Sequence, residues 1–149
     1  MAATFRSATP ADLEAVVALL ADDALGATRE QPENAAAYAA AFEAIDADPA
    51  HDILLAVDGD TILGCLQLTV MPCLTHGGRP RAQVEGVRVA AAARGQGIGA
   101  ALLEEAARRA TAAGCHVLQL TTDKRRPDAI RFYERLGFQP THEGMKRPL

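Results

Sequence analysis

Seven consecutive residues, Arg94-Gly95-Gln96-Gly97-Ile98-Gly99-Ala100, carry the clearest chemical signal in the chain. Glycines let a backbone approach a ligand where a side chain would block it. The segment lies between an apolar, strand-like run at residues 82–89 and a stretch with helical spacing, so it opens a helix. The first amides of that helix lack partners, and its N-terminus carries partial positive charge. Such a turn suits an anion, a pyrophosphate in particular, with Arg94 as an added cation. A tight strand-to-helix turn without a ligand is the alternative on spacing alone. Two other anion loops fail on specific residues. A P-loop needs Lys followed by Ser or Thr after its last glycine, and Ile98-Gly99-Ala100 supplies neither. A dinucleotide turn reads G-x-G-x-x-G in a first βαβ unit, with an acid about 20 residues on. Here the spacing is G-x-G-x-G, deep in the chain, with Leu118 and Gln119 near the acid's position.

The elements that must hold this turn follow from periodicity. Residues 4–7 read as a short strand. Thr9-Pro10-Ala11-Asp12 then supplies an N-cap, a first-turn proline and an acid near the positive helix end. Leu13, Val16, Val17 and Leu20 follow on one helix face. A second helix opens at Pro32-Glu33, carries Tyr38, Ala41, Phe42 and Ile45 at helical spacing, and ends before Pro49. Strand-like runs at 53–57 and 62–70 flank Asp58-Gly59-Asp60, a hairpin signal. A connection across 72–80 with Gly77-Gly78 leads into the strand at 82–89. Beyond the glycine turn, Ile98, Leu102, Leu103, Ala106, Ala107 and Ala110 line the apolar side of a helix that Gly114 caps. On that helix Glu104–Arg108 and Glu105–Arg109 stand four apart in the favourable order. A buried strand at 116–121, a helix near 127–136 stopped by Gly137, and a last strand pair across 138–149 complete the chain. The order β-α-α-β-β-β-α-β-α-β predicts an α/β fold, a mixed sheet with helices on both faces, in a single domain over 1–149.

Composition narrows the function. Hydrophobic residues make up 49% of the 149, but 32 of them are alanine, so Leu, Ile, Val and Phe must build the core. No apolar run reaches the roughly 18–20 residues of a membrane helix. The first six residues are too polar for a signal peptide, so a cytoplasmic protein without a membrane partner is expected. Cys65, Cys73 and Cys115 fit neither a disulfide framework nor a zinc site. Cys65 and Cys115 read as small buried hydrophobes. The four histidines are dispersed, and no metal is expected. Net charge is −4, but residues 1–75 hold 12 acidic against two basic residues, and residues 76–149 hold 13 basic against seven acidic. The acidic total argues against a dedicated nucleic-acid binder.

Two segments together are similar to a known family. Val87-Arg88-Val89 followed by Arg94-Gly95-Gln96-Gly97-Ile98-Gly99 resembles the acyl-CoA pyrophosphate motif of the GNAT superfamily of acyl-CoA N-acyltransferases, Q/R-x-x-G-x-G/A after a hydrophobic strand. Arg131-Phe132-Tyr133-Glu134-Arg135-Leu136-Gly137-Phe138 resembles that family's second signature, a helix ending in Tyr-x-x-x-Gly-Phe. The expected element order also matches the family from end to end.

The resemblance implies a mostly antiparallel, splayed sheet flanked by helices, and acetyl-CoA as cosubstrate. It implies that the backbone of Val87, Arg88 and Val89 pairs with the pantetheine arm and that the amides from Gly95 to Ala100 cradle the pyrophosphate. Lys124, Arg125 and Arg126 would lie near the nucleotide's phosphates, with a solvated loop as the equal alternative. Arg126 also stands seven positions before Tyr133, where relatives often carry an arm-contacting Asn. Glu85 would serve as base, directly or through water, since a primary amine with pKa near ~10 is mostly protonated at neutral pH. Strand alternation, unless a bulge intervenes, puts Glu85 on the face of Val87 and Val89. Its alternative is a strand carboxylate paired with Arg81 or Arg88. The Val87 amide would stabilise the acyl oxygen, and Tyr133 would protonate the departing thiolate or simply pack at the helix end.

The implied activity is direct transfer of an acetyl group from acetyl-CoA to a primary amine of a small molecule. Asp22, Asp23, Glu30, Glu33 and Glu43 in the acidic half would favour a cationic acceptor. A protein lysine or N-terminus is the second choice, and a non-catalytic acyl-CoA sensor or interaction module the alternative from another class. Relatives are often dimers, so a homodimer is possible on the resemblance. A nucleic-acid acceptor would call for a basic acceptor surface.

Overall fold

Alternating side chains along one long hairpin fix the layers. The computed structural model describes residues 2–149. Its strands are β1 (Thr4–Ser7), β2 (His51–Asp58), β3 (Thr61–Met71), β4 (Arg81–Val89) and β5 (Leu118–Gln119), in that spatial order. Its helices are α1 (Leu13–Ala21), α2 (Gly26–Arg29), α3 (Ala35–Asp46), the single turn α4 (Thr75–Gly78), α5 (Ile98–Ala112) and α6 (Pro127–Arg135). Along β2, Leu54 and Ala56 face one side and Leu55 and Val57 the other, and all four are buried. The first side meets Leu102, Leu103, Ala106 and Ala110 of α5. The second meets Val16 of α1 and Phe42 of α3. Leu102, fully buried at the centre of the α5 layer, should cost about 2–5 kcal/mol on truncation to Ala. Urea unfolding should show this as a lower midpoint with little change in slope.

The sheet is mixed, as expected. β1 to β4 pair antiparallel and β5 runs parallel to β4. The hairpin, α1, α3, α5 and α6 lie where periodicity puts them, and α2 and α4 are additional short turns. Glu105 takes both neighbouring arginines, 2.6 Å from Arg108 and 2.8 Å from Arg109. Arg109 also reaches Asp52 across the layer, at 2.7 Å, and Glu104 has no ion pair among the described residues.

Two expectations are corrected. The strand expected at 116–121 shrinks to Leu118–Gln119, registered only with Ala82 and Gln83. Beyond Gln83, residues 84–89 of β4 have no registered partner on that edge. The final strand pair across 138–149 does not form, and residues 139–149 are exposed. Pro140 and Pro148 lack the N–H a ladder needs, and the segment has no apolar alternation to bury. Phe138 instead packs against Tyr133, ring centroids 5.7 Å apart. Among the described residues, no helix is long and apolar enough to cross a membrane.

Candidate active site

β4 carries an extra residue. Cys65 of β3 pairs with Arg88 and Gln67 with Glu85, so Leu66 alone opposes both Gly86 and Val87. Gly86 supplies the required backbone, with φ of +62°, which a side chain would strain. The bulge overturns strict alternation. Ala82 and Val84 before it, and Val87 and Val89 after it, pack on the α5 layer. Glu85 therefore faces the opposite side from Val87 and Val89, with Arg81, Gln83 and Arg88. Glu85 is exposed, and no ion pair ties it to Arg81 or Arg88 among the described residues.

After β4 the chain makes one tight turn at Ala91–Ala93 and enters the glycine segment. Gly95 and Gly97 have φ of +77° and +79°, and a Cβ on either would point into open space. Gly97 caps α5, and the first-turn amides beyond it, those of Ile98, Gly99 and Ala100, have no intrahelical partner by helix geometry. The turn is held from behind: Arg94 Nε donates to the Val89 carbonyl at 3.2 Å, and Gln96 donates to the Ala92 carbonyl at 3.1 Å. Gly99 instead permits a close approach, since a Cβ there would sit 3.1 Å from Phe132 Cζ. The two sequence signatures therefore touch through a glycine and an aromatic ring.

These parts open on one continuous cleft of about 2050 Å³, lined among others by Glu85, Val87, Gly97, Arg126 and Tyr133. Tyr133 is half-buried, and burial pushes its hydroxyl pKa up, against the opposing pull of Arg88 and Arg126. It therefore stays protonated through neutral pH. A carboxylate open to solvent, a protonated phenol, a free strand edge and a glycine-capped helix N-terminus thus share one cavity.

The description of the acetyltransferase (GNAT) family matches residues 14–138. The chain belongs to that family. It is 31% identical over 137 residues to an aminoalkylphosphonate N-acetyltransferase of Salmonella typhimurium, covering 92% of this chain and 85% of the relative. It is 34% identical over 86 residues to a glucosamine 6-phosphate N-acetyltransferase of Trypanosoma brucei brucei, covering 58% of this chain and 56% of that relative. In structure it resembles a protein of Bacillus halodurans described as a transcriptional regulator, with TM-score 0.96, 50% identity, and 99% and 100% of the two chains covered. This chain is a GNAT acetyltransferase, and GNAT acetyltransferases use acetyl-CoA.

The sequence did not reveal the residue that organises this GNAT cleft. Asp23, in the loop between α1 and α2, accepts hydrogen bonds from both terminal nitrogens of Arg126, each at 3.1 Å, and from the Gly26 amide at 2.6 Å. Its Oδ2 is also 2.9 Å from Arg88 Nε. Burial alone would raise the Asp23 pKa, but the Gly26 amide and the two arginines reverse this and bring it from 3.8 down to about 2. Asp22 lies 3.8 Å from Arg94. One loop thus grips β4, the glycine turn and the start of α6.

The expected basic triplet is wholly engaged: Lys124 with Glu143, Arg125 with Asp123, Arg126 with Asp23. Of the acids expected to frame a cationic acceptor, Asp22 and Asp23 hold arginines and Glu30 pairs with Arg29. Glu33 and Glu43 lie away from the cleft. Cys65 is buried, which pushes its thiol up to about 11, as a small core hydrophobe should be.

Proposed function

We propose that this protein transfers the acetyl group of acetyl-CoA directly to a primary amine of a small molecule. The carrying observation is the bulge at Gly86, on either side of which Glu85 and Val87 line the same cleft as the glycine turn and Tyr133. The open space beside Gly95 and Gly97 is of the kind a pyrophosphate backbone cradle requires. The unpaired edge at 84–89 could take the pantetheine amides as an added strand, with Val87, Arg88 and Val89 as partners.

Glu85 takes a proton from the acceptor's ammonium, directly or through water, and frees its lone pair. The amine nitrogen bonds to the acyl carbon while the Val87 amide stabilises the charge that develops on the acyl oxygen. The carbon–sulfur bond then breaks, Tyr133 gives its proton to the departing thiolate, and the nitrogen sheds its second excess proton, which restores the Tyr133 phenol, while Glu85 releases the first to solvent. Two relatives named for small amines, an amino sugar phosphate and an aminoalkylphosphonate, support a small-molecule acceptor over a protein lysine.

Tyr133→Phe tests the acid. Turnover at saturating substrates should fall about 100–10,000-fold with little change in the KM for acetyl-CoA, because the ring still packs between Phe132 and Phe138. Unchanged turnover would leave Tyr133 as a packing residue.

A further inference from the structure

Among the described residues, the buried side-chain atoms without a hydrogen-bond partner are Nε of Arg81 and Nε of Arg88. Both belong to β4 and both side chains line the cleft. A guanidinium keeps its charge at any physiological pH, and a buried donor without an acceptor calls for an explanation, such as a ligand that completes it. Both stand on the Glu85 face of the strand. Arg81 and Gln83 alternate with the buried Ala82 and Val84, and beyond the bulge Arg88 returns to that face while Val87 and Val89 pack toward α5. The two guanidiniums thus bracket Glu85 along one strand.

The Arg88 end is the more cationic. Asp23 lies 2.9 Å from Arg88 Nε, but off the direction in which the N–H points, so it balances charge without accepting that hydrogen bond. The carboxylate's hydrogen bonds go to Arg126 and the Gly26 amide. Arg29 and Arg126 both act electrostatically on Arg88, and Glu30 answers Arg29 at 3.3 Å. Around Arg88, the three arginines Arg29, Arg88 and Arg126 outnumber Asp23 and Glu30 by one, with Glu85 the next carboxylate along the strand until it takes up the acceptor's proton. This excess adjoins the Val87 amide, where the acyl carbon is proposed to lie.

The geometry points to an oxyanion subsite at Arg88: the acceptor amine carries a phosphonate, phosphate or carboxylate, which Arg88 binds with Arg126 behind it while the amine stands at Glu85. This rests on the acetyltransferase reading of the cleft and names its acceptor class. Arg88 Nη1 donates to the Val87 carbonyl at 2.8 Å, and the remaining terminal N–H groups of the planar guanidinium suit a two-pronged contact with such a group. Asp23 keeps the fork ordered, and the remaining positive charge is left for the ligand.

The test compares 2-aminoethylphosphonate, β-alanine and propylamine, short primary amines that differ in their anion. The wild-type protein should favour an anionic amine over propylamine by about 100-fold in kcat/KM. The two anionic arms tell phosphonate from carboxylate. Arg88→Gln should reduce the preference below about 10-fold, through KM more than kcat, and Arg88→Lys, which keeps the charge but loses the fork, should fall between. Calorimetry with methylphosphonate gives a readout independent of turnover, with CoA at saturation to fill the glycine turn. Binding should be present in the wild type, lost in Arg88→Gln and kept in Arg81→Gln. Equal use of propylamine overturns the subsite while leaving the acetyltransferase reading intact. No methylphosphonate binding, binding unchanged by Arg88→Gln, or binding lost in Arg81→Gln instead would also overturn it. If no amine is acetylated, the catalytic reading fails, and the calorimetry still decides the subsite.

Discussion

Replacing Glu85 by Gln should lower kcat/KM for the acceptor by about 100–10,000-fold near neutral pH, the range for loss of a positioned general base. The substitution preserves size and removes only the proton acceptor. Glu85 is exposed on the strand and holds no ion pair among the described residues, so its loss should leave the melting temperature and acetyl-CoA affinity nearly unchanged. The pH dependence gives the sharper signature. An amine with pKa near ~10 gains roughly tenfold in its neutral form with each pH unit up to that value. The defect of Glu85→Gln should therefore shrink steadily between pH 7 and pH 9, while the wild type responds less. A defect of the same size at both pH values would mean that Glu85 positions the acceptor rather than deprotonating it.

Asp23→Ala should have the largest effect on stability of any surface-loop change. Asp23 and Arg88 retain only 19% and 12% side-chain exposure, and removing one partner of such a pair strands a desolvated charge, at a cost of about 3–5 kcal/mol. The pH dependence follows from the lowered pKa. The Asp23 contribution is complete above the ordinary 3.8, where the carboxylate is ionised in both folded and unfolded chains. It is lost as pH falls toward about 2, where the folded protein also takes up the proton. Unfolding free energies between pH 5 and pH 2 should fall less steeply in Asp23→Ala than in the wild type. A loss below 1 kcal/mol with an unchanged acid slope would show that the arginines need no carboxylate there.

Much of the scaffold was legible because it rests on local pattern. Leu13, Val16 and Val17 report α1 through spacing alone, Asp58-Gly59-Asp60 reports the hairpin, and Ile98 to Ala110 reports the face of α5. The glycine turn was legible for the same reason, since Gly95 and Gly97 have the positive φ that their residue type invites. What was not legible depends on distant or irregular geometry. Gly86 inside an apolar run is a bulge signal, but the face Glu85 takes follows only once the register with Cys65 and Gln67 is known. The Asp23–Arg126 contact joins residues 103 positions apart. From sequence, Asp23 counted only as one more acid in an acidic half, which suggested a cationic acceptor. In the fold its charge is matched by arginines, and that suggestion loses its support. The C-terminal strand pair expected across 138–149 does not form, and Pro140 and Pro148 weigh against it.

The most direct measurement pairs thiol release from acetyl-CoA with mass-spectrometric detection of the acetylated amine, for 2-aminoethylphosphonate, glucosamine 6-phosphate, propylamine and a lysine peptide, with wild type and Glu85→Gln. Direct transfer requires one acetylated amine for each free thiol, release only when an acceptor is present, no acetyl group left on the protein, and a sharp fall in the variant. Thiol release at the same rate without an amine, or an acetylated protein that later hands the group on, would contradict transfer between two substrates held in this cleft.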